Sequence, residues 1–471
     1  MIDSNNVRDS IGFNRISRAF LHQLIAALTC NLAVVAVGPC FTWLEPLTQW
    51  LTSEESPIPM NSDDVSWLTS IIEVGELLVV IPSGILADRW GRKPVILSIG
   101  PMSVISWIMI AVSRDIVTLY IVRVLQGIAL GIAFTVVPMY VAEISSPSVR
   151  GSLGGQFTVL WFVGILFSYC TGHYMKFDSY IYVQVIIPLI FFFTFIFMPE
   201  SPYYYFMKEN VEKGKSALKW FRYGQDISDE AVNIQKAVED DMRHAGSWRD
   251  LIATKSDRRA LFIVQIVCFV RYLTGMPAYL SFASQTFASS SHGSLTSDQL
   301  TIIMGAILMG SAFFSSLFSD SIGRRPLMIA SSIGIFIFNT LLAVYYYLDQ
   351  YSLVDLSSFA WIMYLSVAGF CVSINLGIGQ LMQTVQAEFF PSNTRGLGGG
   401  VTGVTMAIAT FINLILYQNL TDAFGVYMNF VSFSIFSFIG TIFIMKYVTE
   451  SAGKSLAEIN SNIKEITSSE K

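Results

Sequence analysis

The chain has 471 residues, of which 53% are hydrophobic and only 13% are charged, and its mean hydropathy is +0.55. An average soluble domain is about 25% charged. A soluble chain of this length could not cover so much apolar surface without exposing large patches. The composition therefore excludes a water-soluble domain and predicts a lipid bilayer as the main partner; we expect no nucleic-acid partner.

Apolar runs that are long enough to cross a bilayer recur along the whole chain. Crossing the hydrocarbon core takes about 20 residues, whereas 26 uncharged residues separate Arg18 from Glu45 and 32 separate Asp355 from Glu388. The first run is too long for a cleaved signal peptide. We therefore predict an all-α membrane protein with twelve transmembrane helices, at residues 19–43, 65–87, 94–113, 117–142, 151–172, 179–198, 261–286, 299–319, 326–348, 357–386, 397–420 and 424–445.

The distribution of Lys and Arg predicts the orientation of these spans. If the N-terminus is cytoplasmic, 25 of the 29 basic residues fall on the cytoplasmic side and only Arg114 and Lys176 fall outside. Without the long charged segment 199–260, the count is still 14 against 2. Because basic residues accumulate in cytoplasmic loops, we predict a multi-pass protein of the cell membrane with both termini in the cytoplasm.

Three pairs of short motifs repeat in the same order along the chain. "GILADRWGRK" is followed after 232 residues by "DSIGRRPL", "AEISSPSVRG" after 245 by "AEFFPSNTRG", and "PESP" after 250 by "TESAGKSL". Each motif lies at a predicted cytoplasmic edge, so two six-helix halves related as parallel repeats are expected. The predicted organisation is an N-terminal bundle at 1–198, a cytoplasmic helical linker at 199–260, and a C-terminal bundle with a cytoplasmic tail at 261–471.

These motifs, together with "VPMYVAEISSPSVRG" and "GKSLAEI", resemble those of the sugar porters of the major facilitator superfamily. The likeness is greatest to the insect trehalose-transporter-like group, and it covers nearly everything from about residue 20 to residue 459. The resemblance implies the major facilitator fold and a carrier that moves a sugar, trehalose or a hexose, by alternating access. The motifs are specific to the family and not to one substrate.

The resemblance also implies a cytoplasmic gate, an ion-pair network that holds the cytoplasmic side shut. Arg suits this task because its guanidinium pairs with carboxylates in a bidentate and directional way. The alternative is that these charges only enforce topology, but topology requires bases and does not require glutamates at matched offsets. The gate residues are Asp88, Arg92, Glu143, Arg150, Glu200, Asp320, Arg324, Glu388, Arg395 and Glu450.

Substrate contacts are expected at mid-membrane, where the halves meet, and here the chain departs from its relatives. Sugar porters commonly begin the seventh helix with paired Gln residues, whereas this chain reads "VRYLTGMPAYL"; the tenth helix reads "NLGIGQLMQTVQAE", and the fifth-helix Gln is kept as Gln156. The alternative is that Gln156 and Asn375 only hold helices together. The candidate substrate-binding residues are Gln156, Arg271, Tyr272, Asn375, Gln380 and Gln383.

Four charges fall inside the predicted spans, namely Glu73, Glu76, Arg123 and Arg271. A lone charge near the bilayer centre costs about 2.5–3.5 kcal/mol on insertion scales. Their depths along the helices allow two ion pairs, Glu73 with Arg123 and Glu76 with Arg271, and the second pair would join the halves across the substrate cavity. The alternative is that each charge faces water in the cavity without a fixed partner.

The first span contains no acid in "AVGPCFTW", where proton-driven sugar porters carry an Asp. Facilitated diffusion is therefore favoured, while Glu73 and Glu76 keep a proton-coupled sugar symporter open because they could titrate if desolvated. A non-transporting sugar sensor of the same fold is the remaining alternative, and the short C-terminal tail disfavours it.

No arrangement of nucleophile and base and no metal-ligand spacing occurs in the sequence. We therefore predict that the protein is not an enzyme and uses no cofactor or metal. The small-molecule partner is a sugar, and the sequence leaves the oligomeric state open.

Overall fold

The structure is a computed structural model that describes residues 4–54, 56, 58, 60–243, 246–289, 295–318, 323–390, 394–448 and 450. At the helical positions 4–17, 256, 317, 318, 383, 384, 387 and 388 it describes the backbone alone.

The described part of the chain is almost entirely α-helical and contains no β-strand. The N-terminal half contains α1 (Ser4–Thr42), α2 (Leu44–Leu51), α3 (Ser62–Ser70), α4 (Ile72–Trp90), α5 (Arg92–Leu97), α6 (Ile99–Val112), α7 (Ile116–Ile144), α8 (Arg150–Tyr174) and α9 (Phe177–Phe195). The linker contains α10 (Pro202–Met207), α11 (Val211–Arg222) and α12 (Ser228–Arg243). The C-terminal half contains α13 (Lys255–Leu273), α14 (Met276–Ser281), α15 (Ala283–Ala288), α16 (Ser297–Phe318), α17 (Arg324–Gln350), α18 (Ala360–Leu376), α19 (Ile378–Phe389), α20 (Arg395–Phe424) and α21 (Tyr427–Tyr447).

Within the described residues, twelve helical stretches are long and apolar enough to cross a membrane, which confirms the predicted all-α architecture with twelve spans. Within the N-terminal half α1 packs against α7, α8 and α9, and within the C-terminal half α17 packs against α18 and α21. The halves meet where α8 packs against α16 and where α4 packs against α20. These two contacts frame the space between the bundles.

The linker helices pack on one end of the N-terminal bundle. Arg222 at the end of α11 donates to the Ile144 carbonyl at 3.0 Å and pairs with Glu230 of α12 at 2.6 Å. We call the span ends on this side the linker face and those at the other end the opposite face. A capping box of Thr254 and Asp257 starts the seventh span at Lys255, six residues before the predicted boundary.

Two spans that the sequence predicts as continuous helices are broken at glycines. The predicted helix 261–286 is interrupted at Gly275, whose φ of +107° favours glycine and whose added Cβ would lie 2.5 Å from the Phe433 ring. The predicted helix 357–386 is interrupted at Gly377, where a Cβ would overlap the Leu327 carbonyl. Both breaks lie beside the space between the halves.

Candidate functional site

A cavity lies between the two halves at mid-span. The N-terminal wall combines aromatic rings with two carboxyl groups, and the C-terminal wall carries a guanidinium, two amides, a phenol and a hydroxyl. The lining residues are Phe41, Glu73, Glu76, Leu130, Phe134, Phe157, Thr158, Trp161 and Phe162 on the N-terminal side, and Arg271, Tyr272, Met276, Pro277, Leu280, Ile374, Asn375, Gly379, Gln380, Met406 and Thr410 on the C-terminal side. Apolar faces with a few polar groups are typical of small-molecule sites.

Four of the six predicted substrate-binding residues line this cavity, namely Arg271, Tyr272, Asn375 and Gln380. The Arg271 guanidinium lies over the ring of its neighbour Tyr272, 5.1 Å from the centroid. The Gln380 Nε2 is buried without a hydrogen-bond partner, so it is available to a ligand.

The structure gives less support for substrate contacts by Asn375, Gln156 and Gln383. Asn375 Nδ2 donates to Ser311 Oγ at 2.9 Å and to the Leu308 carbonyl at 3.1 Å, so this amide joins α18 to α16. Gln156 is not among the lining residues, although the next two residues along the chain are, and its buried Oε1 has no partner. The side chain of Gln383 lies outside the described part of the chain.

Glu73 and Glu76 lie on the cavity wall, and each is only 2% exposed. Neither predicted ion pair exists between these described residues, so the predictions of a Glu73–Arg123 pair and a Glu76–Arg271 pair are wrong. Arg123 is fully buried in the N-terminal bundle. Its guanidinium donates to the carbonyls of Leu68, Cys40 and Thr69 at 2.6–3.0 Å.

Arg123 therefore ties the end of the first span to the start of the second. Helix ends leave carbonyl groups without backbone partners, and here these carbonyl groups accept hydrogen bonds from the guanidinium. Because these hydrogen bonds compensate for the burial of the charge, Arg123 needs no carboxylate partner. Arg271 is less buried and faces the cavity, where a bound molecule or water can meet it.

The halves are sealed against each other at the opposite face. The buried carboxylate of Glu45 accepts from the Ser284 backbone N–H at 2.7 Å and from the Thr301 hydroxyl at 3.3 Å. His173 Nδ1 lies 2.8 Å from the Asp298 carboxylate. We call these five residues the opposite-face seal.

A further hydrogen bond lies just below this seal, where the Tyr169 hydroxyl donates to the Leu280 carbonyl at 2.6 Å. Between residues that the structure describes, these are the four hydrogen bonds that join the two halves. At the linker face, an added Cβ at Gly151, Gly154 or Gly396 would meet open space. The described contacts therefore close the cavity at the opposite face.

Four of the predicted gate residues, Asp88, Arg92, Glu143 and Glu200, form one cluster at the linker face. Arg92, only 2% exposed, pairs with Glu143 of α7 at 3.0 Å and with Asp88 at 3.0 Å. The Ser201 hydroxyl also donates to Glu143. Glu200 accepts from the Lys93 backbone N–H at 3.0 Å. Burial raises the pKa of the Glu200 carboxyl above its ordinary value, and the N–H donors of Ser201 and Lys93 oppose that rise.

The C-terminal half repeats part of this arrangement. Glu450 accepts from the backbone N–H groups of Arg324 and Arg325 at 3.1 Å each, as Glu200 does at Lys93. The preceding glycines, Gly91 and Gly323, have φ of +109° and +97°. The three-dimensional match of these positions agrees with the internal repeat in the sequence.

The other predicted gate residues make looser contacts or lie outside the described part. Arg150 donates to the Ser145 carbonyl at 3.4 Å, and Arg395 Nε is buried without a partner. Asp320 and the side chain of Glu388 lie outside the described residues. Every described side-chain contact within the predicted gate joins residues of one half.

Sequence reasoning did not identify the opposite-face seal. Glu45 served only to mark the end of an uncharged run, and neither His173 nor Asp298 was among the predicted site residues. A usable signal was present, because Glu45 follows an apolar span directly and is thus a carboxylate at membrane depth. Its partners are a backbone N–H and a hydroxyl, which no sequence pattern marks.

The architecture defines the class of protein to which the chain belongs. Two six-helix bundles that enclose one cavity, closed at one face by contacts between the bundles, are those of a membrane transporter. The chain belongs to the sugar transporter family, since the model described as "Sugar (and other) transporter" matches residues 41–463. This finding confirms the family that the motifs indicate.

Relatives of the chain include insect proteins. It is 28% identical over 454 residues to the facilitated trehalose transporter Tret1 of Apis mellifera ligustica, covering 95% of this chain and 90% of that protein. It is 27% identical over 440 residues to the facilitated trehalose transporter Tret1 of Anopheles gambiae, covering 93% of this chain and 55% of that protein. The chain thus spans about half the length of the Anopheles relative.

Solved structures share the fold. The proton:xylose symporter XylE bound to 6-bromo-6-deoxy-D-glucose matches with a TM-score of 0.77 and 18% identity, over 94% of this chain and 99% of that chain. The inward-open conformation of the xylose transporter XylE from E. coli matches with a TM-score of 0.76 and 17% identity, over 93% and 98% of the two chains. At these identities the likeness establishes the major facilitator fold.

Proposed function

We propose that the protein is a carrier that moves a sugar across the cell membrane by alternating access, in facilitated diffusion. The observation that carries the proposal is the cavity between two repeated halves, which are joined at the opposite face by the four hydrogen bonds described above. A carrier exposes one central site to each side in turn. The arrangement fits one state of that cycle.

The substrate is trehalose or a hexose-like sugar. Relatives over most of this chain are named facilitated trehalose transporters, and the cavity offers aromatic faces together with the polar groups of Arg271, Tyr272 and Gln380. Sugars present apolar C–H faces and hydroxyl edges, which suit such a lining. Gln156 and Gln383 complete the proposed substrate contacts, while Asn375 mainly holds helices together. The protein acts as a carrier and not as an enzyme.

The linker face lies in the cytoplasm with both termini, because 25 of the 29 basic residues then fall on that side. The opposite-face seal is therefore extracellular. The bundles at 1–198 and 261–471 are the moving units, and the linker at 199–260 joins them.

The predicted gate residues close the cytoplasmic side in the other state of the cycle. Two matched clusters support this proposal: Arg92 and Glu143 of the first half with Glu200 at the start of the linker, and Arg324 with Glu450 in the second half. Neither cluster contains residues of both halves, so rigid-body movement of the halves could bring the clusters together without rebuilding either.

The test is uptake by the full chain reconstituted in liposomes. We expect labelled trehalose or glucose to equilibrate faster than in protein-free liposomes, and unlabelled sugar inside to accelerate entry by exchange. No uptake of any sugar by folded protein would contradict the carrier proposal. Accumulation above equilibrium under an imposed proton gradient would contradict facilitated diffusion and support the symporter alternative.

A further inference from the structure

The glutamates of the second span carry an inference that rests on the proposed function and deepens it. Glu73 Oε2 and Glu76 Oε1 are both buried without a hydrogen-bond partner. Both residues line the cavity, and each is only 2% exposed. A buried polar atom without a partner costs free energy, and here the free atoms belong to residues on the wall of a site built to receive a small molecule.

The packing of α4 prevents these side chains from turning away from the cavity. Gly75, which lies between them, packs so closely on α7 that an added Cβ would overlap the Val124 carbonyl and lie 2.9 Å from the Gly127 Cα. A Cβ at Gly127 would in turn overlap the Ile72 carbonyl. Because residues three apart share one face of a helix, this glycine contact fixes Glu73 and Glu76 on the cavity side together.

Glu73 and Glu76 lie against each other, and within the described residues no cation forms an ion pair with either of them. The guanidinium of Arg123 on α7 donates its hydrogen bonds to backbone carbonyl groups. Arg271 on α13 lines the cavity and forms no described ion pair with either glutamate. The other titratable groups near the pair, Tyr272 and Cys268 of α13, belong to the same side as Arg271. The element α20, which packs on α4, presents Met406 and Thr410 to the cavity.

We propose that Glu73 and Glu76 form a substrate subsite that accepts hydrogen bonds from hydroxyl groups of the sugar, while Arg271 donates hydrogen bonds to sugar oxygens from the other half. The two carboxyl oxygens without a partner can accept hydrogen bonds, whereas a guanidinium only donates them. The two walls therefore select a polyhydroxy molecule with hydroxyl donors at one edge and oxygen acceptors at the other.

The aromatic groups fit the same molecule. Phe134 contacts Trp161 with ring centroids 5.0 Å apart, and Phe41 contacts Trp161 at 5.8 Å. These three rings line the cavity on the same half as the glutamates and offer apolar faces to the C–H face of a sugar ring. A sugar that contacts Glu76 and Arg271 at once also connects the two halves. Binding of the sugar would therefore favour movement of the two halves toward each other.

The test compares Glu73→Gln and Glu76→Gln with Glu54→Gln, the same change at an exposed position. Uptake and binding of trehalose and glucose are measured with the full chain in liposomes. We expect each cavity variant to weaken binding about 10-fold, since a buried hydroxyl left without its acceptor loses roughly 5- to 150-fold in affinity, and Glu54→Gln to match wild type.

Deoxy analogues of glucose, each lacking one hydroxyl, assign the contact. Wild type should lose about 10-fold in affinity for the analogue that lacks the hydroxyl bound by Glu76, and Glu76→Gln should lose less than about 2-fold for that analogue. An identical deoxy profile in wild type and in both glutamine variants would overturn the subsite.

A second measurement does not depend on folding of the variants. Infrared difference spectra of the wild-type protein should show a change in the carboxylate bands when glucose or trehalose is added, and an unchanged carboxylate region would overturn the proposal. If wild type takes up no sugar, the proposed function itself fails. If wild type takes up sugar and the glutamine variants bind it equally well, only this inference fails. Proton-driven accumulation that the variants lose would assign the glutamates to proton transfer and would also overturn it.

Discussion

The two faces of the transmembrane bundle are held by different kinds of contact. At the opposite face, Glu45, His173 and Asp298 form hydrogen bonds between the halves. At the linker face, Arg92 and Glu143 also form short hydrogen bonds, at 3.0–3.1 Å, but both residues belong to the same half. The difference shows that a cluster of charges at a span end can serve either to build one half or to join two, and only the identity of the partner distinguishes these roles.

The first prediction concerns the contact inside one half and has the largest expected effect. Arg92→Ala leaves the Glu143 carboxylate, whose side chain is 12% exposed, without its cation. Removing one partner of a buried ion pair costs about 3–5 kcal/mol. We expect a clear fall in the unfolding temperature of the purified protein. Arg89→Ala, at an exposed neighbouring position, is the control; equal unfolding temperatures for the two variants would show that the cluster contributes little to the N-terminal bundle.

The second prediction concerns the seal between the halves. Glu45→Ala removes the acceptor of the Ser284 N–H and the Thr301 hydroxyl, which costs about 1–3 kcal/mol for the unsatisfied groups. Because the contact exists only while the opposite face is closed, the population open at that face should rise about 5- to 150-fold. A cysteine at Phe41 should then react faster with an impermeant thiol reagent added at the opposite face. An unchanged reaction rate would exclude Glu45 from the seal.

The third prediction concerns the weaker part of the same seal. The side chains of His173 and Asp298 are 24% and 41% exposed, so solvent screens their attraction and the pair is worth about 0.2–1 kcal/mol. His173→Ala should raise the same reaction rate by no more than about 5-fold, with no loss of folded protein. An effect as large as that of Glu45→Ala would mean that the exposed pair and not the buried carboxylate dominates the seal.

The helices and their pairing into two halves could be predicted from the sequence, because both leave local patterns. Uncharged runs mark the spans, and the matched "GRK" and "GRRP" turns mark the repeat; the structure places Gly91 and Gly323 at equivalent helix starts. The breaks in the seventh and tenth spans were not predicted. Both glycines are tolerated within an apolar run. Glycine is required at Gly275 by its positive φ and its contact with Phe433, and at Gly377 by its contact with the Leu327 carbonyl.

The candidate site was predicted only in part, for a related reason. The sequence indicates which polar side chains lie at mid-membrane, and the structure places Arg271, Tyr272 and Gln380 on the cavity wall. That they bind the substrate stays a prediction. Partners could not be predicted from depth alone. Arg123 and Glu73 lie at compatible depths, yet the guanidinium binds backbone carbonyls of the first two spans, and carbonyl groups are invisible to a search for opposite charges.

Alternating access is tested most directly by measuring the distances between the two halves at both faces before and after sugar is added. One spin-label pair would join Gly151 and Gly396 at the linker face, where added side chains meet open space. A second would join Asp178 and Gln299, which are exposed at the opposite face. Alternating access predicts that glucose or trehalose shortens the distances across the linker face and lengthens those across the opposite face. Distances that remain fixed at both faces, or that change in the same direction, would contradict alternating access between these two halves.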